Sequence, residues 1–145
     1  MSSTCAPAPL FRDPVQDGAT DPVLVRHLER GEWWLLYTQR RAQAPGPGVA
    51  WVHGSDVGVA VSTDRGLSWT YRGALGAAAG LPGDPTAPWR RDTYWAPEVV
   101  HAAGEYHLFL TVIAGVPDAW AGHDRRIVHL TSPDLERWTD HGPLP

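Results

Sequence analysis

The chain states one pattern twice. Gly31-Glu32-Trp33-Trp34-Leu35-Leu36-Tyr37-Thr38 returns as Gly104-Glu105-Tyr106-His107-Leu108-Phe109-Leu110-Thr111, about seventy residues later. Ser62-Thr63-Asp64-Arg65-Gly66-Leu67-Ser68-Trp69 returns as Ser132-Pro133-Asp134-Leu135-Glu136-Arg137-Trp138. Order and spacing are nearly kept, so two copies of one structural unit are expected. A repeat of strands closed by a Trp-bearing turn points to a propeller, and a propeller needs more than two units.

Within the first unit, Val23 to Leu28 reads as a strand ended by a turn at Gly31. Trp33, Leu35 and Tyr37 share one face of the next strand, and Trp34 and Leu36 share the other. Both faces are apolar, which predicts a sheet covered on both sides, as a blade between neighbouring blades would be. Val57 to Ser62 and Trp69 to Arg72 supply the third and fourth strands. The second unit mirrors them at Glu98 to His101, Tyr106 to Val112, Ile127 to Thr131 and Trp138 to Thr139. Residues 1–20 and Gly73 to Arg91, with Pro82, Pro85 and Pro88, read as irregular. Ala44 to Gly48 and Gly115 to Asp124 read as loops. No segment sustains a helical apolar period. The expected fold class is all-β: two four-stranded antiparallel blades, the first over about 21–75 and the second over about 95–145.

At 145 residues the chain is long enough for a core, and its 29 Gly and Pro fit many tight turns. A net charge of −4 without a basic block argues against a nucleic-acid partner. No apolar run is long enough for a membrane span, and no secretory leader is visible, so a cytoplasmic location is expected. The single cysteine, Cys5, excludes an internal disulfide. The seven histidines include pairs six apart, His101 with His107 and His123 with His129, a spacing that matches no zinc pair. No metal and no cofactor are expected.

Ser-x-Asp-x-Gly-x-x-Trp at Ser62, Asp64, Gly66 and Trp69 is a turn with a mechanism. The carboxylate accepts its own turn's N–H groups, the Gly permits a positive φ, and the Trp folds back over the hairpin. The second copy keeps Ser132, Asp134 and Trp138 without the Gly. Asp13-Pro14, Asp17-Gly18 and Asp21-Pro22 place three carboxylates before the first strand, ordinary turn chemistry in itself. Position gives one of them a second reading. The first strand of a blade lines a propeller's channel, so Asp21 would face a pocket. Glu98 lies near the matching point of the second unit, with Pro97-Glu98 set against Pro22-Val23. Paired carboxylates across a channel suit glycoside hydrolysis, one as acid and one as base or nucleophile. Trp51, Tyr94, Trp95 and Trp120 are candidates to stack on sugar rings, with core packing as the alternative. His53-Gly54-Ser55-Asp56 and Gly122-His123-Asp124-Arg125 fall in loops where sugar hydroxyls could be met.

Three of these segments, in order, resemble glycoside hydrolase family 43 and related five-bladed propeller glycosidases. Asp21-Pro22-Val23-Leu24-Val25 followed by the Trp33–Tyr37 strand resembles the first-blade signature. Tyr94-Trp95-Ala96-Pro97-Glu98-Val99 resembles the second, and Thr131-Ser132-Pro133-Asp134-Leu135 with Trp138 a blade ending. The resemblance spans roughly residues 11 to 140. It implies the N-terminal two blades of a five-bladed β-propeller and inverting hydrolysis of arabinosides, xylosides or galactosides. It assigns the general base to Asp21 and draws the pKa-tuning Asp and the acid Glu from later blades. By that mapping Glu98 lines the pocket instead of acting as the acid, and the 145 residues by themselves are expected to be inactive. The expected substrate contacts are Asp13, Trp51, His53, Asp56, Trp95, Glu98 and His123. Arg12-Asp13-Pro14 also resembles a motif of fructan-cleaving propellers. The Ser-x-Asp turns resemble the Asp-box of sialidases, but the sialidase arginine cluster does not stand out. The other classes weighed are a carbohydrate-binding module and an inactive remnant. Exposed strand edges of two blades make self-association a further expectation.

Overall fold

This computed structural model describes residues 7–46, 48–75 and 92–145. The irregular segment expected around Pro82, Pro85 and Pro88, and Cys5, lie outside the described residues. Eight strands alternate with turns: β1 (Ala19–His27), β2 (Glu32–Gln39), β3 (Asp56–Ser62), β4 (Thr70–Leu75), β5 (Thr93–Ala102), β6 (Glu105–Ile113), β7 (Arg125–Ser132) and β8 (Thr139–Pro143). They form two antiparallel four-stranded meanders, β1-β2-β3-β4 and β5-β6-β7-β8. This is the all-β, two-blade architecture the repeat predicts. The described residues contain no helix, and so none long and apolar enough to cross a membrane.

Two strands begin earlier than the sequence pattern indicates. β1 starts at Ala19 and β5 at Thr93 because each carries a bulge that resumes pairing on its far side. β1 gains a residue against β2 between Thr20 and Val23, and β5 does so against β6 between Trp95 and Glu98. The residue at each bulge has positive φ, 50° at Asp21 and 46° at Ala96, and each precedes a proline. A non-glycine residue in that region is strained, and an alanine more so than an aspartate. Both units repeat this device at the same register position, so Asp21 matches Ala96, Pro22 matches Pro97 and Val23 matches Glu98.

The sheets stack face to face. Val25, Trp34, Leu36, Val57, Val59 and Val61 of the first meet Val99, Tyr106, Leu108, Leu110, Val128 and Leu130 of the second in one buried cluster. Polar groups cross the seam at its ends. The Tyr106 hydroxyl accepts the Leu28 N–H at 2.8 Å and donates to the Arg26 carbonyl at 3.0 Å. Tyr94 N–H donates to the Ser55 carbonyl, and the Ser55 hydroxyl donates to the Tyr94 carbonyl.

The far face of the first sheet is covered too, as its apolar pattern predicts. Leu35, Tyr37 and Ala60 pack under Phe11 of the N-terminal segment and Trp69 of the β3–β4 turn. Gly58 makes the packing feasible: a side chain there would overlap the Tyr37 ring that lies across it.

Burial at the seam sets the expected cost of a cavity. Leu108→Ala, at a wholly buried position, should lower the unfolding free energy in urea by about 2–5 kcal/mol. Leu24→Ala, at a half-exposed position, should change it by about 0.5 kcal/mol or less. Equal losses would contradict the stacked arrangement.

Candidate functional site

The bulges bring the candidate residues to one end of the stack. Asp21 sits on the β1 bulge with its carboxylate partly exposed. Its Oδ2 accepts the Thr20 hydroxyl at 3.2 Å and the Thr38 hydroxyl at 3.1 Å, and Arg40 Nη2 lies 3.7 Å away. Among the described residues no donor reaches Oδ1. Thr38 is fully buried, and its oxygen also accepts the Ala96 N–H at 2.8 Å. One hydroxyl therefore joins the two bulges.

Arg40, which reaches this carboxylate, also lies over Trp51, one member of an aromatic group built from loops of both sheets. The β2–β3 loop contributes Trp51 and His53, β5 contributes Trp95, and the β6–β7 loop contributes Trp120 and His123. The Arg40 guanidinium lies over the Trp51 ring, 5.6 Å from its centroid. His53 stacks on Trp95 at 5.1 Å and approaches His123 at 5.8 Å and Trp120 at 6.1 Å. The Arg125 guanidinium lies 5.4 Å from the Trp95 centroid. Trp95 Nε1 donates to the Val52 carbonyl at 2.7 Å, which fixes its indole across the seam. Trp51 is 40% and Trp120 53% exposed, so two broad apolar rings face water, Trp51 beside Arg40 and Trp120 with its backbone carbonyl accepting from Arg125.

His53 is fully buried, and neither ring nitrogen has a hydrogen-bond partner among the described residues. Burial first, with His123 and Arg125 adding to it, pushes its pKa below the ordinary value, so the ring is neutral.

The other expected contacts lie elsewhere. Asp13 is buried at 2% exposure beneath the N-terminal segment. Its Oδ1 accepts the Val15 and Gln16 N–H groups, and its Oδ2 accepts the Tyr37 hydroxyl and Gln39 Nε2. Burial raises its pKa, but the bonds from Tyr37, Gln16, Gln39 and Val15 outweigh it and leave the value lowered. Its visible work is to anchor the segment over Tyr37. Asp56 pairs with Gln39 in the β2–β3 ladder and is half-buried. Glu98 is exposed, two register positions beyond the bulge, and shares no hydrogen bond or ion pair with Asp21. The expectation that the two acids stand at nearly equivalent points is corrected: the equivalent of Asp21 is Ala96. Arg125 lies in a loop segment expected to meet sugar hydroxyls, whereas Arg40 and Thr38 were not anticipated. The last had a signal, since Thr38 and Thr111 close the repeated strand in both units.

The Ser-x-Asp turns behave as their chemistry requires. Asp64 accepts the Ser68 hydroxyl, the Ser68 N–H and the Ser62 hydroxyl, which together bring it to about 2. Asp134 is also at about 2: burial raises it, and bonds from Arg137 and Glu136 N–H prevail. In the second turn Leu135, fully buried, carries the positive φ of 61°. The matching residue of the first turn, Arg65, has a φ of 63°, and Gly66 after it adds a second positive φ that the second turn lacks.

Three carboxyls with lowered folded values bind protons more readily after unfolding. Their stabilisation is complete above the unfolded value of about 4 and is lost as pH falls through the folded values. Urea titrations at neutral and acid pH should show that loss, and Asp13→Asn should be less stable at neutral pH with a shallower acid limb. An acid limb as steep as the wild type would argue that Asp13 is not a source.

Two antiparallel four-stranded meanders stacked face to face are the arrangement of neighbouring β-propeller blades. The chain is similar to an Aspergillus clavatus protein assigned as arabinan endo-1,5-alpha-L-arabinosidase A, 27% identical over 127 residues, 84% of this chain and 31% of that relative. Among solved structures it resembles the native arabinanase of Bacillus subtilis, with a TM-score of 0.55, 20% identity, and 88% of this chain against 40% of that one. It also resembles a family 43 endo-arabinanase from Bacillus licheniformis, with a TM-score of 0.56, 19% identity, and 93% against 40% coverage. The chain thus spans about a third of the length of the curated relative it matches. No family model matches it.

Proposed function

We propose that these two blades form part of a glycosidase site, with Asp21 as the base that activates water and the Trp51–Trp95–Trp120 surface as the platform for a sugar ring. The observation that carries this reading is the Asp21 carboxylate linked through Arg40 to the Trp51 ring of that platform. Its Oδ2 is held by Thr20, Thr38 and Arg40, and Oδ1 has no donor among the described residues. A fixed carboxylate with one unengaged oxygen can take a proton from water. Apolar ring faces offer area to the C–H face of a sugar. Arg40 and Arg125 offer N–H donors to its hydroxyls.

Inversion requires an acid roughly 6.5–9.5 Å from the base, leaving room for the water. The similarity to arabinanases supports an arabinose-containing polysaccharide as the substrate class, with the acid drawn from later blades. On this reading the protein acts on carbohydrate, and the 145 residues bind it without turnover. A cytoplasmic location and self-association through the strand edges belong to the same proposal.

Tryptophan fluorescence during titration with α-1,5-linked arabino-oligosaccharides should show saturable change. Trp120→Ala should weaken binding by about tenfold, the size expected for one stacked ring. Asp21→Ala should leave binding in place. No saturation with arabino-, xylo- or galacto-oligosaccharides would end the carbohydrate reading. Hydrolysis of an aryl arabinoside by the chain, abolished in Asp21→Ala, would instead show that it needs no later blade.

A further inference from the structure

We infer that Thr38 is a positioning residue that makes the second sheet part of the Asp21 site, so that the aim of the carboxylate depends on the docking of β5. The inference rests on reading Asp21 as the base.

The argument is one of proton count. A threonine hydroxyl has one hydrogen and lone pairs to accept with. Thr38 is wholly buried, so water does not complete its bonding. The Ala96 N–H points its hydrogen at the Thr38 oxygen from 2.8 Å. The oxygen accepts there, and its own hydrogen is left for Asp21 Oδ2 at 3.1 Å. Docking of the second sheet therefore fixes the direction in which the hydroxyl donates. With Thr20 and Arg40 on the same oxygen, the carboxylate is held through Oδ2, which leaves Oδ1, without a donor among the described residues, to accept a proton.

The strained geometry at Ala96 fits this role. Its φ of 46° places an alanine where glycine is the usual choice. The Thr38 oxygen is the acceptor that meets the amide of this residue at its bulge. Trp95 is the residue before it in the chain and one ring of the aromatic platform. A sugar that shifts Trp95 thus moves Ala96, and through Thr38 the carboxylate. Two functions of the site, stacking and water activation, share one hydroxyl.

Thr38→Val keeps the shape and removes the hydroxyl, whereas Thr38→Ser keeps the hydroxyl. By NMR, Thr38→Val should speed hydrogen exchange at the Ala96 amide by about tenfold over its strand neighbours, the size of one lost hydrogen bond. It should also move the Asp21 carboxyl-carbon resonance. Thr38→Ser should leave both near wild type. A folded Thr38→Val protein with wild-type exchange at Ala96 and an unmoved Asp21 carboxyl would overturn the inference. So would a serine variant as perturbed as the valine one, because the methyl packing would then be responsible. Should the valine variant not fold, Asp21→Asn decides: the Ala96 amide resonance should shift, and an unchanged one refutes the coupling. No measurement here uses a sugar, so its failure is separate from failure of the saccharide titration.

Discussion

The stacking of two sheets through their apolar faces is the constraint on which the other features rest. β2 is apolar on both sides and β6 on the side of Tyr106, Leu108 and Leu110, so neither meander can leave both faces to water. The central seam is met by aliphatic and aromatic side chains. Its ends bring backbone groups together at bulges and loops, where the ladder cannot satisfy them, and a buried unpaired N–H is costly. Thr38, Tyr106 and Ser55 supply partners there. Cross-sheet bonding at one end is thus a by-product of stacking two bulged strands, and it puts a fixed hydroxyl beside Asp21.

Much of the fold was legible because the signals are local and repeated. The aromatic strands, the Ser-x-Asp turns and the hairpin glycines each prescribe their own geometry. Strand starts were less legible. A bulge interrupts the two-residue period, so Ala19–Pro22 and Thr93–Pro97 do not read as strand although they pair on either side of the extra residue. The register keeps the match of Pro22-Val23 with Pro97-Glu98, but it sets Asp21 against Ala96, so Glu98 stands two residues past the point that answers to Asp21. Aspartate and alanine share a backbone role at the register position where their side chains have nothing in common.

The site was only half legible for a related reason. Sequence marks Trp51, Trp95 and Trp120 as large rings but does not say which face water. Arg40 and Arg125 look like surface charge until the fold lays them over indole rings. Asp13 reads like Asp21, an aspartate before a proline ahead of the first strand. Burial separates them. Asp13 meets four donors and anchors a segment, while the Asp21 side chain stays partly exposed and its Oδ1 has no donor among the described residues.

The repeat also shows how two similar sheets come to present unlike surfaces. The face of the first sheet that carries Trp34, Leu36, Val59 and Val61 is buried at the seam. By register, the same face of the second carries His107, Phe109, His129 and Thr131. There the imidazoles of His107 and His129 stack at 5.2 Å and share a 3.0 Å hydrogen bond, and His141 stacks on His129 at 5.1 Å. Burial, then His141 and His107, lower the His129 pKa, because a second positive charge in such a row repels the first. Thr111 occupies the position of Thr38, so the hydroxyl at the strand end is kept while the apolar stripe beside it is not. The strand framework and its end hydroxyl are properties of the repeat. The chemistry of each face is set separately, by what that face meets.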